Sequence, residues 1–258
     1  MADKRHTPVE TESIDPQICT LHLRLRILQR TPFFAALTSE ELAEINRLYR
    51  ERAFAAGQTI YDAGEPATRL YVVATGKVKV IRLTPHGQNV LLDILPPGEF
   101  FGSLSTLGDR EYPSSAEAHT ACCVLSVSAE EFQAILHRHP PVALAVLDMV
   151  AARLHEAHEL IEQYSGQSIE RRLASLLLKL GDKMGEQRDG ALLIQMPLSR
   201  QDLADMAGTT VETASRIMSQ FRKDGLIQSG RRWVALADRA RLAAIARDDG
   251  VRMRSAAH

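Results

Sequence analysis

The sequence predicts an α+β chain in which a β jelly-roll barrel is followed by a long helix and then a winged helix-turn-helix. Three observations predict it. Between Phe54 and Val127 short β-rich runs are separated by glycine, proline and aspartate. From Pro140 to about Tyr164 the apolar period becomes helical and repeats in heptads. Beyond Pro197, two short helical patterns with Ala204 and Gly208 at their junction lead into a basic hairpin.

The first thirty residues lack sustained patterning, so 1–30 reads as a mobile tail and 31–138 as a sensor domain. Thr38-Ser39-Glu40-Glu41 opens an amphipathic helix with Leu42, Ile45 and Leu48 on one face. Strand-like runs follow at Thr59–Tyr61, Arg69–Val73, Lys77–Leu83, Val90–Ile94 and Ala121–Val127. Gly57, Gly64, Gly76, Gly87, Gly98, Gly102 and Gly108 punctuate them at turn spacing, as in a sandwich or small barrel.

Residues 139–165 read as a dimerisation helix. Leu147, Leu154 and Ile161 recur every seventh position, with Val150, Ala157 and Tyr164 three places later, the seam of a two-helix contact with a second copy. Ser165-Gly166-Gln167-Ser168 interrupts it as a hinge. A second helix runs from Ile169 to about Met184, followed by a polar loop from Gly185 to Gly190. The C-terminal domain is bounded at 169–247, with 248–258 as a tail.

Within that domain Ala191 to Pro197 reads as a short strand. Ser199 then caps a helix, with Asp202 completing a weak capping box. Leu203, Ala204 and Ala207 form its apolar face. A helix-turn-helix needs a small residue where its helices cross, which Ala204 supplies, and a residue tolerant of positive φ in the turn, which Gly208 supplies. The second helix, Val211 to Phe221, turns Ala214 and Ile217 inward. A two-stranded wing with a basic tip at Arg231-Arg232 closes the unit.

A recognition helix meets base edges through its N-terminal residues. Here Val211, Glu212, Ser215 and Arg216 are placed to do so. A carboxylate accepts from a cytosine amino group, and a guanidinium forks onto guanine O6 and N7. Glu212 and Arg216 stand at i, i+4 and share a face. Arg200, Gln201, Thr209, Thr210, Arg231 and Arg232 are assigned to the DNA backbone, which positions without specifying.

Bulk properties agree. Eleven basic against seven acidic residues lie from Pro197 onward, whereas the whole chain carries a net charge of −1. Three cysteines, Cys19, Cys122 and Cys123, show no C-x-x-C spacing and read as reduced thiols of a cytoplasmic protein. No segment has the roughly 18 apolar residues of a membrane span, so no membrane partner is expected. Paired carboxylates, a nucleophile triad and a phosphate loop are all lacking, and His86, His119, His137 and His139 have no partner at catalytic spacing. The chain is not read as an enzyme.

From about Pro32 to Ala240 the sequence resembles the Crp/Fnr family of bacterial transcriptional regulators. The residues carrying the resemblance are the turn glycines within Gln58–Gly76, the Pro97-Gly98-Glu99-Phe100-Phe101-Gly102 stretch, the long helix and the winged helix-turn-helix. It implies a cyclic-nucleotide-binding-type sensor barrel and a homodimeric activator that binds palindromic double-stranded DNA and engages RNA polymerase. Val211-Glu212-Thr213-Ala214-Ser215-Arg216 is similar to the Fnr-type recognition helix, which implies a TTGAT…ATCAA inverted repeat.

The resemblance places the effector pocket at Gly102, Ser103, Leu104, Ser114 and Ser115. Family members that bind cAMP carry a Glu where Ser103 stands and an Arg-Ser pair where Ser114-Ser115 stands. Loss of the ribose acceptor and the phosphate cation costs several kcal/mol, so cAMP is not expected. An iron–sulfur cluster needs four cysteines, three of them N-terminal, and is not expected either. The runs Ile81–Gln88 and His139–Leu147 are similar to the nitric-oxide-responsive Dnr branch, which is associated with haem. On that resemblance His155 or His158 is a candidate haem ligand reaching the barrel interior. The signal stays open between haem with nitric oxide, a redox input and another small ligand. The other function class is a small-molecule sensor whose C-terminal domain docks a protein partner instead of DNA.

Overall fold

The computed structural model describes residues 19–83, 89–102, 110–188, 191–195, 198–230 and 233–247, with the side chains of 89 and 160–165 left aside. The chain divides into two units, Glu12–His158 and one containing Glu159–His258.

The first unit begins with α1 (Leu21–Arg30), a 3-10 turn (Pro32–Phe34) and α2 (Ser39–Asn46). Eight strands follow: β1 (Arg50–Phe54), β2 (Thr59–Tyr61), β3 (Arg69–Thr75), β4 (Val78–Leu83), β5 (Asn89–Leu95), β6 (Phe100–Gly102), β7 (Ser115–Ala118) and β8 (Cys122–Ser128). They form two open antiparallel sheets ordered β1-β8-β3-β6 and β2-β7-β4-β5. The jelly roll is thus a sandwich, and α3 (Ala129–Arg138) leads into the long α4 (Pro140–Gly166).

Strands β3 and β8 are buried on both faces, which explains their nearly unbroken apolar runs. Alternation splits each strand between two cores. Leu70, Val72, Ala74, Cys123, Leu125 and Val127 face a helical layer that includes Leu28, Phe33, Phe132, Val142 and Val146. Tyr71, Val73, Cys122 and Val124 face the second sheet, against Val78, Ala116 and Ala118. A one-residue slip would exchange the two sets.

Residues 21–30 correct the assignment of 1–30 to a mobile tail. Thr20 caps α1, and Ile27 and Leu28 are buried in the helical-layer core. The local alternation of Leu21, Leu23 and Leu25 with His22, Arg24 and Arg26 conceals a helix that tertiary packing selects. The rest of that stretch, 1–18, lies outside the described residues. Strand β1 also escaped the sequence, because Phe54 is its sole buried residue.

The second unit contains α5 (Ile169–Met184), β9 (Gly185–Arg188), β10 (Ala191–Gln195), α6 (Arg200–Ala207), α7 (Val211–Lys223), β11 (Ile227–Gly230), β12 (Trp233–Leu236) and α8 (Arg239–Arg247). The polar stretch from Gly185 is a strand and not a loop. It pairs with β10, so the wing hairpin belongs to a four-stranded sheet ordered β11-β12-β10-β9. Gly181 lets α5 lie close on that sheet: a Cβ there would stand 2.9 Å from the side chains of both Leu192 and Leu236.

Candidate nucleic-acid interface and sensor core

Helix α6 starts at a full capping box. Ser199 Oγ accepts from the Asp202 amide at 3.0 Å, and Asp202 Oδ2 accepts from the Ser199 amide at 2.7 Å. The helix ends at Gly208, whose φ of 60° and ψ of 52° are left-handed, and Thr209 N–H donates back to Ala204 O at 2.9 Å. Leu203, Ala204, Ala207, Ala214, Ile217, Met218 and Phe221 are buried where α6 crosses α7. Ala204 is fully covered, so a larger side chain at the crossing would part the helices.

This core aims the opposite face of α7 outward. Glu212 and Arg216 are exposed one turn apart, with Val211 and Ser215 half-buried beside them. Among the described residues neither charge is held by an ion pair, so the surface-salt-bridge role that i, i+4 spacing permits is not taken up. Thr210 has a local task as the α7 cap, accepting from the Thr213 amide at 3.3 Å. Thr209 is half-buried in the turn, and Gln201 is tied to Asp205 at 2.6 Å. Arg200 is half-buried, and its guanidinium is held below its usual range by burial and by the neighbouring Arg222 cation. Arg222, in the last turn of α7, was not foreseen as a neighbour of Arg200. Arg231 and Arg232 lie outside the described residues.

The interior of the sandwich is filled with aromatic rings. Tyr61 stacks on Tyr112 at 3.8 Å between centroids, and Tyr71 stacks on Phe101 at 5.1 Å. Tyr112 Oη donates to Arg69 O at 2.9 Å and accepts from Arg69 N–H at 3.1 Å. Burial holds the Tyr61 and Tyr112 phenols well above the usual phenol range, so both stay protonated. Gly102 adjoins this stack with φ of 100°, and a Cβ there would meet Arg69 O at 3.0 Å and the Tyr71 ring at 3.3 Å. Ser115 Oγ already accepts from the Ala63 amide at 2.9 Å, and Ser114 is half-buried. Ser103 and Leu104 lie outside the described residues. The sequence missed these aromatics as lining because their positions, 61, 71, 101 and 112, converge only through strand pairing.

A cyclic nucleotide-binding domain model matches residues 51–139, and a Crp-like helix-turn-helix domain model matches residues 171–245. The chain is 32% identical over 219 residues to the cyclic AMP receptor protein of Thermus thermophilus, covering 85% of this chain and 98% of that one. The chain belongs to the Crp/Fnr family. It is also 29% identical to a CRP-like cAMP-activated global transcriptional regulator of Mycobacterium tuberculosis, across 86% of this chain and 99% of the relative. The solved structure of FixK2 from Bradyrhizobium japonicum superposes with a TM-score of 0.69 at 28% identity, covering 76% of this chain and 96% of that one. As a Crp/Fnr regulator the chain is a DNA-binding transcription factor and not an enzyme.

The long helix of this Crp/Fnr regulator is rooted in the sensor and bare beyond it. Val142 and Val146 are buried, while Leu144, Leu147 and Leu154 are 64%, 63% and 57% exposed. Val150 is half-buried, packing partly against the sensor's own core. The exposed stripe therefore pairs Leu147 and Leu154 with Leu144, Ala151 and His158; Ala157 is exposed beside it, and the Ile161 side chain lies outside the described residues. Arg153 donates from Nη2 to Phe100 O at 2.9 Å, joining α4 to the strand that leads into the predicted effector cassette. His155 and His158 stand on the exposed surface of α4 and do not enter the aromatic-filled interior, against the expectation that they reach it. Among the described residues no cluster suits a metal ion, and no helix is long and apolar enough to cross a membrane.

Proposed function

We propose that this Crp/Fnr regulator is a homodimer that reads a TTGAT…ATCAA inverted repeat and acts with RNA polymerase in the cytoplasm. The observation that carries the proposal is the face of α7, where Glu212 and Arg216 stand exposed and uncommitted around Ser215. These are the donor and acceptor types that read guanine and cytosine in the major groove. Arg200, Gln201, Thr209 and the wing tip at Arg231-Arg232 are the backbone contacts, and Thr210 serves chiefly by capping the helix that is inserted. The exposed leucines of α4 are the seam, since two copies bury them against each other.

The signal enters the aromatic sandwich and is not cAMP held by the usual contacts, because Ser103 stands in place of the Glu and Ser114 in place of the Arg. The bond from Arg153 to Phe100 supplies a mechanical link between the cassette and α4. A rotation of α4 at the seam, passed through the break at Gln167-Ser168, resets the spacing of the two recognition helices.

Fluorescence anisotropy with labelled duplexes tests the operator. Binding to the TTGAT repeat is expected to exceed binding to a TGTGA repeat, and Arg216→Ala is expected to lose about tenfold or more, as for one bidentate base contact. Equal affinity for both sites would sink the operator assignment. DNA binding indifferent to both Arg216→Ala and salt would favour the protein-docking alternative.

A further inference from the structure

We propose that Cys19 and Cys123 are an oxidisable dithiol of the sensor domain, which a hydroperoxide converts to a disulfide stapling the start of α1 to strand β8. Cys19 directly precedes Thr20, the cap of the ten-residue helix α1, and is half-buried against the helical-layer core. Cys123 points into that same core from the sheet, 104 residues further along the chain. Both thiols thus lie at the same core, close enough for each to shift the titration of the other. A disulfide between them would bring the sulfurs to roughly 2.05 Å.

The surroundings divide the roles. Cys19 faces Cys123, Arg24 and Glu51. Arg24 is fixed by Asn46 Oδ1 at 2.9 Å, Asn46 O at 2.9 Å, Tyr49 O at 2.8 Å and Glu51 at 3.1 Å. The hydrogen bond from Cys123 lowers the Cys19 thiol below its usual range and Arg24 adds to this, against burial and Glu51. The start of α1 also favours a thiolate there. The same hydrogen bond and burial raise Cys123, which stays a thiol. Cys122 faces the other core, and burial pushes it up to about 11. Adjacent cysteines thus have opposite fates because a strand alternates.

The reaction balances in two steps. The Cys19 thiolate attacks the peroxide; its O–O bond breaks, an S–O bond forms, and hydroxide (or alkoxide) leaves, giving a sulfenic acid. The Cys123 sulfur then displaces the sulfenic hydroxyl. The S–S bond forms as the S–O bond breaks, and the Cys123 proton leaves with the hydroxyl as water. Two electrons pass from the thiols to the peroxide. Because Val142 and Val146 pack in the same core, the staple stiffens the layer in which α4 is rooted.

The test treats the reduced full-length protein with stoichiometric hydrogen peroxide, blocks free thiols, digests without reductant and maps the peptides by mass spectrometry. The expected product is a Cys19–Cys123 crosslink, two hydrogens lighter than its halves and reversed by dithiothreitol. Without oxidant, Cys19 in the native protein is expected to alkylate about tenfold or more faster than Cys122. Cys122→Ser should keep the crosslink. Cys19→Ser, a change at a half-exposed position that leaves the sheet intact, should abolish it while circular dichroism stays unchanged. A folded protein in which Cys19 survives peroxide as a free thiol, links to Cys122, forms only intermolecular disulfides, or passes to sulfinic acid without a crosslink overturns the proposal.

Discussion

Replacing Gly208 separates backbone conformation from every other contribution to the helix-turn-helix. Its φ of 60° lies in the left-handed region, its surface is exposed, and its amide donates to the end of α6. With the position exposed, the cost of a side chain there is chiefly conformational. Left-handed backbone costs an L-residue about 1–2 kcal/mol, and Asn visits it more readily than others. Alanine also stiffens the unfolded chain, which returns about 0.4–1 kcal/mol. Gly208→Ala is therefore expected to destabilise by about 1 kcal/mol, Gly208→Asn by less, and Gly208→Val by about 2 kcal/mol because a β-branched residue fits this region worst. Trp233 makes the measurement local. It is the single tryptophan of the sequence and lies in β12, its ring beside Gly230 in the same unit. Urea unfolding followed by its fluorescence reports this domain without interference from the sensor. If the valine and asparagine variants unfolded within about 0.3 kcal/mol of each other, the account of the turn would be wrong.

Other consequences are open to direct measurement. Tyr112→Phe keeps the stacked ring but removes both bonds to Arg69, and thermal denaturation of the sensor should show a loss of about 1–2 kcal/mol. Glu41 and Glu131 are held below the usual carboxyl value of 4.5 by the backbone amides of Thr38 and Ser128 that close their capping boxes. Their contribution is present above the unfolded value and is withdrawn as pH falls through the lowered folded values, so Glu131→Gln should flatten the acid limb of the melting-temperature profile. Leu154→Lys places a charge in the exposed stripe of α4; sedimentation should show monomer, with DNA affinity falling although no DNA contact is touched. An unchanged dimer would remove α4 from the seam.

Where sequence reasoning succeeded, the relevant physics was local. The Ser199 capping box, the left-handed Gly208 and the inward Ala214 and Ile217 each depend on neighbours within one or two turns. The boxes at Thr38 and Ser128 were written just as plainly, although α3 behind Ser128 was not read from it. Where it fell short, the deciding contacts were remote. α1 is a helix because Leu28 finds a core built by β3, β8 and α3.

The sequence by itself determined the output of this regulator: a winged helix-turn-helix presenting Glu212, Ser215 and Arg216. Caps, turn glycines and helical periodicity are properties of consecutive residues. The tertiary structure alone decided the input side. Strand pairing across tens of residues stacks Tyr61, Tyr71, Phe101 and Tyr112 inside the sandwich and turns Cys122 and Cys123 toward different cores. Such juxtapositions follow from which strands pair and in what register, and no local pattern encodes either.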